Sequence, residues 1–305
     1  MNGLVVKSQS GFFTVATADG FVVCQIPGRL KQDKQYTALV AIGDRVTISC
    51  LTDGSGLIET VAERQRVLSR ARPGINRLNE QVLIANPDQM VCVFAMKQPT
   101  PNLRKLDRFL VVAEMNQVPA VICINKIDLS RPGEAESLFA PYQQLGYPVF
   151  YLSALTQQGI SALRDCLMGK ISVLVGSSGV GKSSLLNALQ PGLGLQVQQV
   201  SQATEKGRHT TRYAEMFALE LGGYVADTPG IRSLALFDVE PTELDGYFRE
   251  IAPLVANCRF SDCTHTHEKH CAVRAAVATG RVSRQRYESY LKLREEHEQM
   301  EKAAY

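Results

Sequence analysis

The octapeptide Gly176-Ser177-Ser178-Gly179-Val180-Gly181-Lys182-Ser183 constrains this 305-residue chain more than any other feature. It fits the pattern G-x-x-x-x-G-K-[ST] and stands between a strand-like run, Ile171–Val175, and helical spacing through Leu185, Leu186 and Leu189. Glycines there let successive backbone N–H groups point at phosphate oxygens, and the helix N-terminus adds a favourable field. Lys182 can reach the outer phosphates, the Ser183 hydroxyl can ligate Mg²⁺, and Ser184 follows in the same binding set. A strand–loop–helix unit of this kind needs a parallel sheet around it. From about residue 85 the sequence supplies one, with strand-like runs at Met90–Ala95, Val118–Ile124 and Val149–Leu152. Helical spacing at Leu103–Met115, Glu134–Leu145 and Ile160–Met168 alternates with them, which predicts a doubly covered α/β domain.

Base recognition is expected at Asn125-Lys126-Ile127-Asp128, directly after a buried-strand run. That is the carboxyl edge at which α/β sheets bind ligands. A carboxylate at Asp128 can accept from guanine's N1–H and exocyclic amine, which adenine cannot supply. Ser153-Ala154-Leu155, at the end of the next strand-like run, is the expected second contact through backbone N–H. Asp227-Thr228-Pro229-Gly230 follows Tyr224-Val225-Ala226. There Asp227 can hold Mg²⁺ through water while the Gly230 N–H senses a γ-phosphate. Arg208-His209-Thr210-Thr211-Arg212 supplies a first-switch hydroxyl, expected from Thr211 as a second Mg²⁺ contact beside Ser183.

The order of these elements is unusual. Base recognition precedes the phosphate loop, whereas Ras-like domains run from phosphate loop through switches to base recognition; the domain therefore reads as circularly permuted. The second switch then leads out into the C-terminal region. Ile231 stands where Ras carries its water-orienting Gln, and an aliphatic side chain cannot hydrogen-bond the attacking water. Slow intrinsic turnover is expected, with His209 the in-chain candidate to replace that group.

Cys258, Cys263 and Cys271 fall within 14 residues that also hold three of the chain's five histidines. Three thiols and one imidazole match tetrahedral Zn²⁺, and a full protein donor set argues for a structural ion. His265 is the expected fourth ligand, with His267 and His270 as competitors. Zinc would stabilise a segment poor in large hydrophobes. Cys24, Cys50, Cys92, Cys123 and Cys166 stand alone in apolar surroundings and read as buried small hydrophobes.

Residues 1 to about 68 read as all-β. Runs at Phe12–Thr17, Phe21–Ile26, Arg45–Ile48 and Leu57–Val61 alternate with Asp/Gly turn signals, which suits a small closed barrel. With 45% hydrophobic and 21% charged residues the composition excludes disorder and collagen-like repeats. No apolar run approaches the roughly 18 residues of a membrane span, and no secretory signal is visible, so a cytoplasmic location without membrane attachment is expected. Net charge is only +3, but Arg64, Arg66, Arg70 and Arg72 crowd together. Phosphate contacts are expected from them and from Arg281, Arg284 and Arg286.

The motifs N-K-I-D, G-S-S-G-V-G-K-S, R-H-T-T-R, D-T-P-G and C-x₄-C-x-H-x₅-C, in that order behind a small barrel, resemble the RsgA (YjeQ/YloQ) family of small-subunit-dependent GTPases. Arg70-Ala71-Arg72-Pro73 also looks like the family's link between barrel and GTPase domain. The resemblance implies an OB-fold over 1–72, a circularly permuted GTPase domain over 73–235 and a mainly helical zinc domain over 236–305. It implies a late assembly factor of the small ribosomal subunit that contacts 16S rRNA and hydrolyses GTP to GDP on subunit contact, with His209 implicated. A monomer is expected. The alternatives are a nucleotide-switched RNA or protein adaptor with negligible hydrolysis, and a zinc-handling or redox protein.

Overall fold

The computed structural model describes residues 1–27, 39–71, 80–193, 214–226 and 241–304. Five strands form the N-terminal barrel: β1 (Asn2–Gln9), β2 (Phe12–Thr17), β3 (Gly20–Gln25), β4 (Arg45–Cys50) and β5 (Gly56–Val61). β1 pairs with β2 and β2 with β3, all antiparallel; β3 lies parallel to β5, β5 antiparallel to β4, and β4 returns to β1. The closed circuit leaves the barrel's inside to Val5, Phe13, Val15, Cys24, Val46, Ile48 and Ile58.

The strand that period-2 reading missed is β1. A bulge between Val5 and Lys7 breaks its alternation and splits it between two neighbours. Asn2–Leu4 pair with β4, whereas Lys7 and Ser8 pair with a strand of the central sheet.

A hairpin of β6 (Val67–Ala71) and β7 (Glu80–Ala85) leads into the central domain. There β8 (Gln89–Ala95), α1 (Leu103–Met115), β9 (Ala120–Asn125), α2 (Glu134–Gln144), β10 (Val149–Tyr151), α3 (Ile160–Leu167), β11 (Ile171–Val175) and α4 (Lys182–Leu189) alternate as the sequence predicts. β12 (Ala214–Ala218) and β13 (Tyr224–Ala226) complete a sheet of order β10-β9-β8-β11-β13-β12. All of its neighbours are parallel except β12 and β13. β8, β9 and β11 are buried along their whole length because helices cover both faces. Along β8, Met90, Cys92 and Phe94 face the α1 side, while Val91, Val93 and Ala95 face α3 and α4. β12 continues into β1 by the register Lys7↔Glu215 and Ser8↔Ala214, with a Lys7–Glu215 ion pair at 3.2 Å.

The C-terminal region holds a 3₁₀ turn (Leu244–Tyr247), α5 (Ala252–Val255), α6 (Ala272–Ala278) and α7 (Arg284–Ala304). Its buried Leu244, Phe248, Ile251, Val273, Tyr290 and Leu293 join one hydrophobic cluster with Leu106, Phe109 and Leu110 of α1. The segment thus makes up its shortage of large hydrophobes by sharing the GTPase-side core. At the seam Arg286 is 1% exposed; it donates to Asp107 at 2.6 Å and, through Nε and its second nitrogen, to Glu250 at 2.7 and 3.0 Å. Tyr142 and Gln285 donate to the same Asp107.

Candidate nucleotide site and metal centre

The carboxyl ends of β8, β9, β10 and β11 share one edge of the sheet, and the motif residues gather there. Gly176–Ser183 makes the turn from β11 into α4, with positive φ at Gly176, Gly179 and Gly181. A Cβ at Gly176 would collide with the Val93 carbonyl oxygen, and one at Gly181 with the Asn125 amide, so close approach requires glycine at both positions. Lys182, buried, donates from Nζ to the carbonyls of Gly176 at 3.0 Å and Ser177 at 3.2 Å, which folds its ammonium into the loop. Val180 is buried beneath it, while Ser177, Ser178, Gly179, Ser183 and Ser184 are partly or fully accessible.

Asn125 spans two loops. Its Nδ2 donates to the Val180 carbonyl at 3.0 Å, and its Oδ1 accepts from the Ala154 N–H at 3.2 Å. Lys126 takes the left-handed conformation and donates to the Gly179 and Gln98 carbonyls. Burial pulls its ammonium pKa down, with Asp128 opposing. Ile127 opens a short 3₁₀ turn that presents Asp128 exposed at the edge. The buried Ser153 donates to Asp128 Oδ1 at 2.5 Å and accepts from the Thr156 N–H at 3.1 Å. Three segments far apart in sequence therefore hold one another in register. His209, Thr211, Asp227 and Gly230 lie outside the described residues.

The donor atoms of Cys258, Cys263, His265 and Cys271 all lie within 4.8 Å of one another, and His265 is fully buried. His267 and His270 are exposed. Three soft thiols and one imidazole, all protein-supplied, fit a structural zinc ion. Burial works against the Cys258 thiolate, but the N–H groups of Ala272 and Val273 and the neighbouring thiols bring its pKa below the ordinary thiol value. The loop is braced from two sides. Tyr287 and Tyr290 of α7 donate to the His265 and Thr264 carbonyls at 2.6 and 3.0 Å. Glu268 accepts from the Thr264, Thr266 and His267 N–H groups and from the Thr264 hydroxyl.

Burial alone would raise the Glu268 carboxyl; those hydrogen bonds outweigh it and hold its pKa at about 2. A depressed carboxyl contributes stability that is present above its unfolded value near 4.5 and is lost as pH falls toward about 2. Glu268→Gln keeps one acceptor oxygen and turns an NH₂ group toward N–H donors. It should lower unfolding free energy at pH 7 by about 1–2 kcal/mol, with the difference from wild type closing below about pH 2. Parallel denaturation curves over that range check this, and a pH-independent difference would contradict it.

Three expectations need correction. Arg64 is not available to phosphates: it makes two hydrogen bonds of 2.8 Å to Asp44, which is fully buried and needs a counter-charge. Arg286 is likewise committed to Asp107 and Glu250, buried at the seam. Cys50 is exposed at the end of β4, its Sγ 3.3 Å from the Met1 sulfur, and Cys166 is only half-buried, whereas Cys24, Cys92 and Cys123 are buried. Arg281 and Arg284 remain at the surface, Arg284 paired with Glu288. The Arg70 side chain and Arg72 lie outside the described residues. The residues that sequence reasoning missed, Ser153 as a partner of Asp128 and Asp107 as a partner of Arg286, act across long sequence separations.

Comparison with known proteins places the chain in a family. Residues 61–237 match the family model RsgA GTPase, and residues 2–58 match the RsgA N-terminal domain. The chain is 46% identical over 297 residues to the small ribosomal subunit biogenesis GTPase RsgA of Gemmatimonas aurantiaca, covering 96% of each chain. Identity to the protein of that name from Bacteroides fragilis is 41% over 304 residues, covering 98% of each. The fold matches the crystal structure of YjeQ from Thermotoga maritima with a TM-score of 0.80 at 37% identity, covering 97% of this chain and 98% of that one. It matches YloQ, described as a circularly permuted GTPase, with a TM-score of 0.76 at 31% identity, covering 98% and 95%. The family model covers more than half of the chain and the named relatives align along nearly all of it, and the chain belongs to the RsgA GTPase family.

Proposed function

We propose that this GTPase acts in maturation of the small ribosomal subunit, binding 16S rRNA and hydrolysing GTP to GDP and phosphate on contact with the subunit. The observation that carries the nucleotide half is the convergence of Gly176–Ser183, Asn125–Asp128 and Ser153–Ala154 on one sheet edge. The subunit half is supported by the names of relatives that align along nearly the whole chain. The working division is an RNA-binding barrel over 1–72, the permuted GTPase domain over 73–235 and the zinc module over 236–305, in a cytoplasmic monomer. Among the described residues no helix is long and apolar enough to cross a membrane.

In this reading Asp128, oriented by Ser153, accepts from the guanine edge, and Asn125 locks the base loop to the phosphate loop. Backbone N–H groups of Gly176–Ser184 bind the β- and γ-phosphates, and Lys182 moves its ammonium from the loop carbonyls onto them. Ser183, Thr211 and Asp227 are the residues that would hold the Mg²⁺ that accompanies GTP in this family, an ion that would offset phosphate charge. Gly230 N–H senses the γ-phosphate. Ile231 has no polar atom to orient water, so His209 takes that task on contact with the subunit. Cys258, Cys263, His265 and Cys271 would hold a structural zinc ion, which would cross-link the segment. Arg66, Arg281 and Arg284 are the remaining described candidates among the expected phosphate-contacting arginines, and their contacts make binding salt-sensitive.

Ile231 also favours a second reading, an adaptor that holds nucleotide and scarcely hydrolyses it. Steady-state GTP hydrolysis with and without purified small subunits separates the two. Stimulation by about 10²-fold or more, lost in His209→Ala, is the expected result. Stimulation that survives the substitution moves the water-orienting group onto the ribosome, and no stimulation favours the adaptor.

A further inference from the structure

The backbone of the metal loop is held by Tyr287, Tyr290 and Glu268, and the Tyr290 ring also packs on the His265 ring with 6.0 Å between centroids. The ring nitrogen turned away from the thiols meets Asp245. Its Oδ2 lies 3.0 Å from His265 Nε2, with the histidine side chain fully buried and the carboxylate 13% exposed. On the other side of the ring, Nδ1 lies 3.6 Å from Cys258 Sγ and 3.4 Å from Cys271 Sγ. A carboxylate at Nε2 accepts the N–H of that nitrogen, which leaves the lone pair on Nδ1, the atom aimed at the thiols.

We propose that Asp245 is the positioning residue of the zinc centre, holding His265 as the Nε2–H tautomer so that Nδ1 is the metal-binding atom. The inference rests on the zinc reading of the Cys₃His cluster. A carboxylate behind a metal-bound imidazole fixes its orientation and raises its basicity. Here it does something further. Asp245 sits in the turn Leu244–Tyr247, flanked by Leu244 and Phe248, both fully buried in the cluster that includes α1. That turn is the first helical element of the described C-terminal region and begins 18 residues after the last described strand of the GTPase sheet ends at Ala226. The bond therefore ties the ion to a segment packed on the GTPase domain, and not only to its own loop.

The test uses full-length protein, wild type, Asp245→Ala and Asp245→Asn. Zinc content is measured first, then the rate of zinc release to a chromogenic chelator, then the absorption spectrum after Co²⁺ substitution. Asp245→Ala should release zinc on the order of 10- to 100-fold faster than wild type. Its Co²⁺ ligand-field bands should shift as the imidazole loses its orientation. Asp245→Asn, whose amide oxygen still accepts the Nε2–H, should recover most of the wild-type spectrum and part of the retention. If the alanine variant does not fold, the asparagine variant against wild type carries the comparison, with faster release expected. Equal release rates and identical spectra in loaded proteins would overturn the proposal while leaving the zinc site standing. So would a loss of thermal stability equal in zinc-loaded and zinc-stripped protein with release unchanged, because that is what a purely structural carboxylate produces. A wild-type protein that takes up no zinc would overturn the zinc reading itself, and the proposal with it.

Discussion

Asp128→Asn should turn the protein from a guanine-nucleotide binder into a xanthine-nucleotide binder. Guanine offers two donors side by side, N1–H and the exocyclic amine, and a carboxylate answers both with acceptors. The Asp128 carboxylate is exposed at the sheet edge, and Ser153 fixes its rotation by donating to Oδ1. An amide at the same position keeps one acceptor, which Ser153 can still hold, and puts an NH₂ where the second acceptor was. That NH₂ opposes the guanine amine, donor to donor. Xanthine carries a carbonyl at the same ring position and meets it with an acceptor. Leaving buried donors unpaired is what gives such sites their discrimination, so GTP affinity should fall by roughly a hundredfold or more while XTP affinity rises. Competition of GTP and XTP against a fluorescent guanine nucleotide reads both changes. An unchanged GTP-to-XTP preference in a variant with wild-type melting behaviour would remove Asp128 from base recognition.

Arg286→Met should destabilise the folded chain by about 3–5 kcal/mol, the cost of leaving a buried charge without its partner. Asp107 is fully buried on α1 and Glu250 nearly so, and Arg286 is the cation they share. The guanidinium also lies over the Phe248 ring at 4.7 Å and the Tyr142 ring at 5.4 Å, so its plane is packed as well as paired. Because the pair joins α7 to α1, the loss should appear as separation of the C-terminal unfolding transition from that of the GTPase domain. Urea denaturation followed by zinc release and by intrinsic tyrosine fluorescence checks this. Adding Asp107→Asn and Glu250→Gln to the methionine variant should recover part of the loss, since neutral amides cost less to bury. A single substitution that costs under about 1 kcal/mol would show that water reaches the seam and screens it.

Chemistry carried by contiguous residues was legible from the sequence. The phosphate loop, the base-recognition tetrapeptide and the Cys/His cluster each depend on spacing within about 14 residues, and each follows or precedes a run whose periodicity marks its element. Permutation was legible for the same reason, since it is an order of motifs. The barrel's runs and the alternating helices and strands could be read too, because burial imposes period 2 or 3.6 wherever an element has a dry face.

Tertiary structure decided whatever depends on a partner distant in sequence. β1 pairs with β2 along one edge and with β4 and then β12 along the other, and its register against β2 shifts between Val5 and Lys7, where that other edge passes from β4 to β12. Arg64 and Arg286 looked like phosphate ligands because charge on a string carries no sign of burial; Asp44 and Asp107 claimed them across 20 and 179 residues. The C-terminal segment, read as poor in large hydrophobes, shares the core of α1. The sequence favours His265 among three histidines, and in the fold it is the one buried with its ring beside the three thiols, while His267 and His270 are exposed. Sequence thus set which chemistry the chain could perform, because local spacing places donor atoms. The fold set which charged side chains remain free to perform it, because a desolvated ion must be paired before it can do anything else.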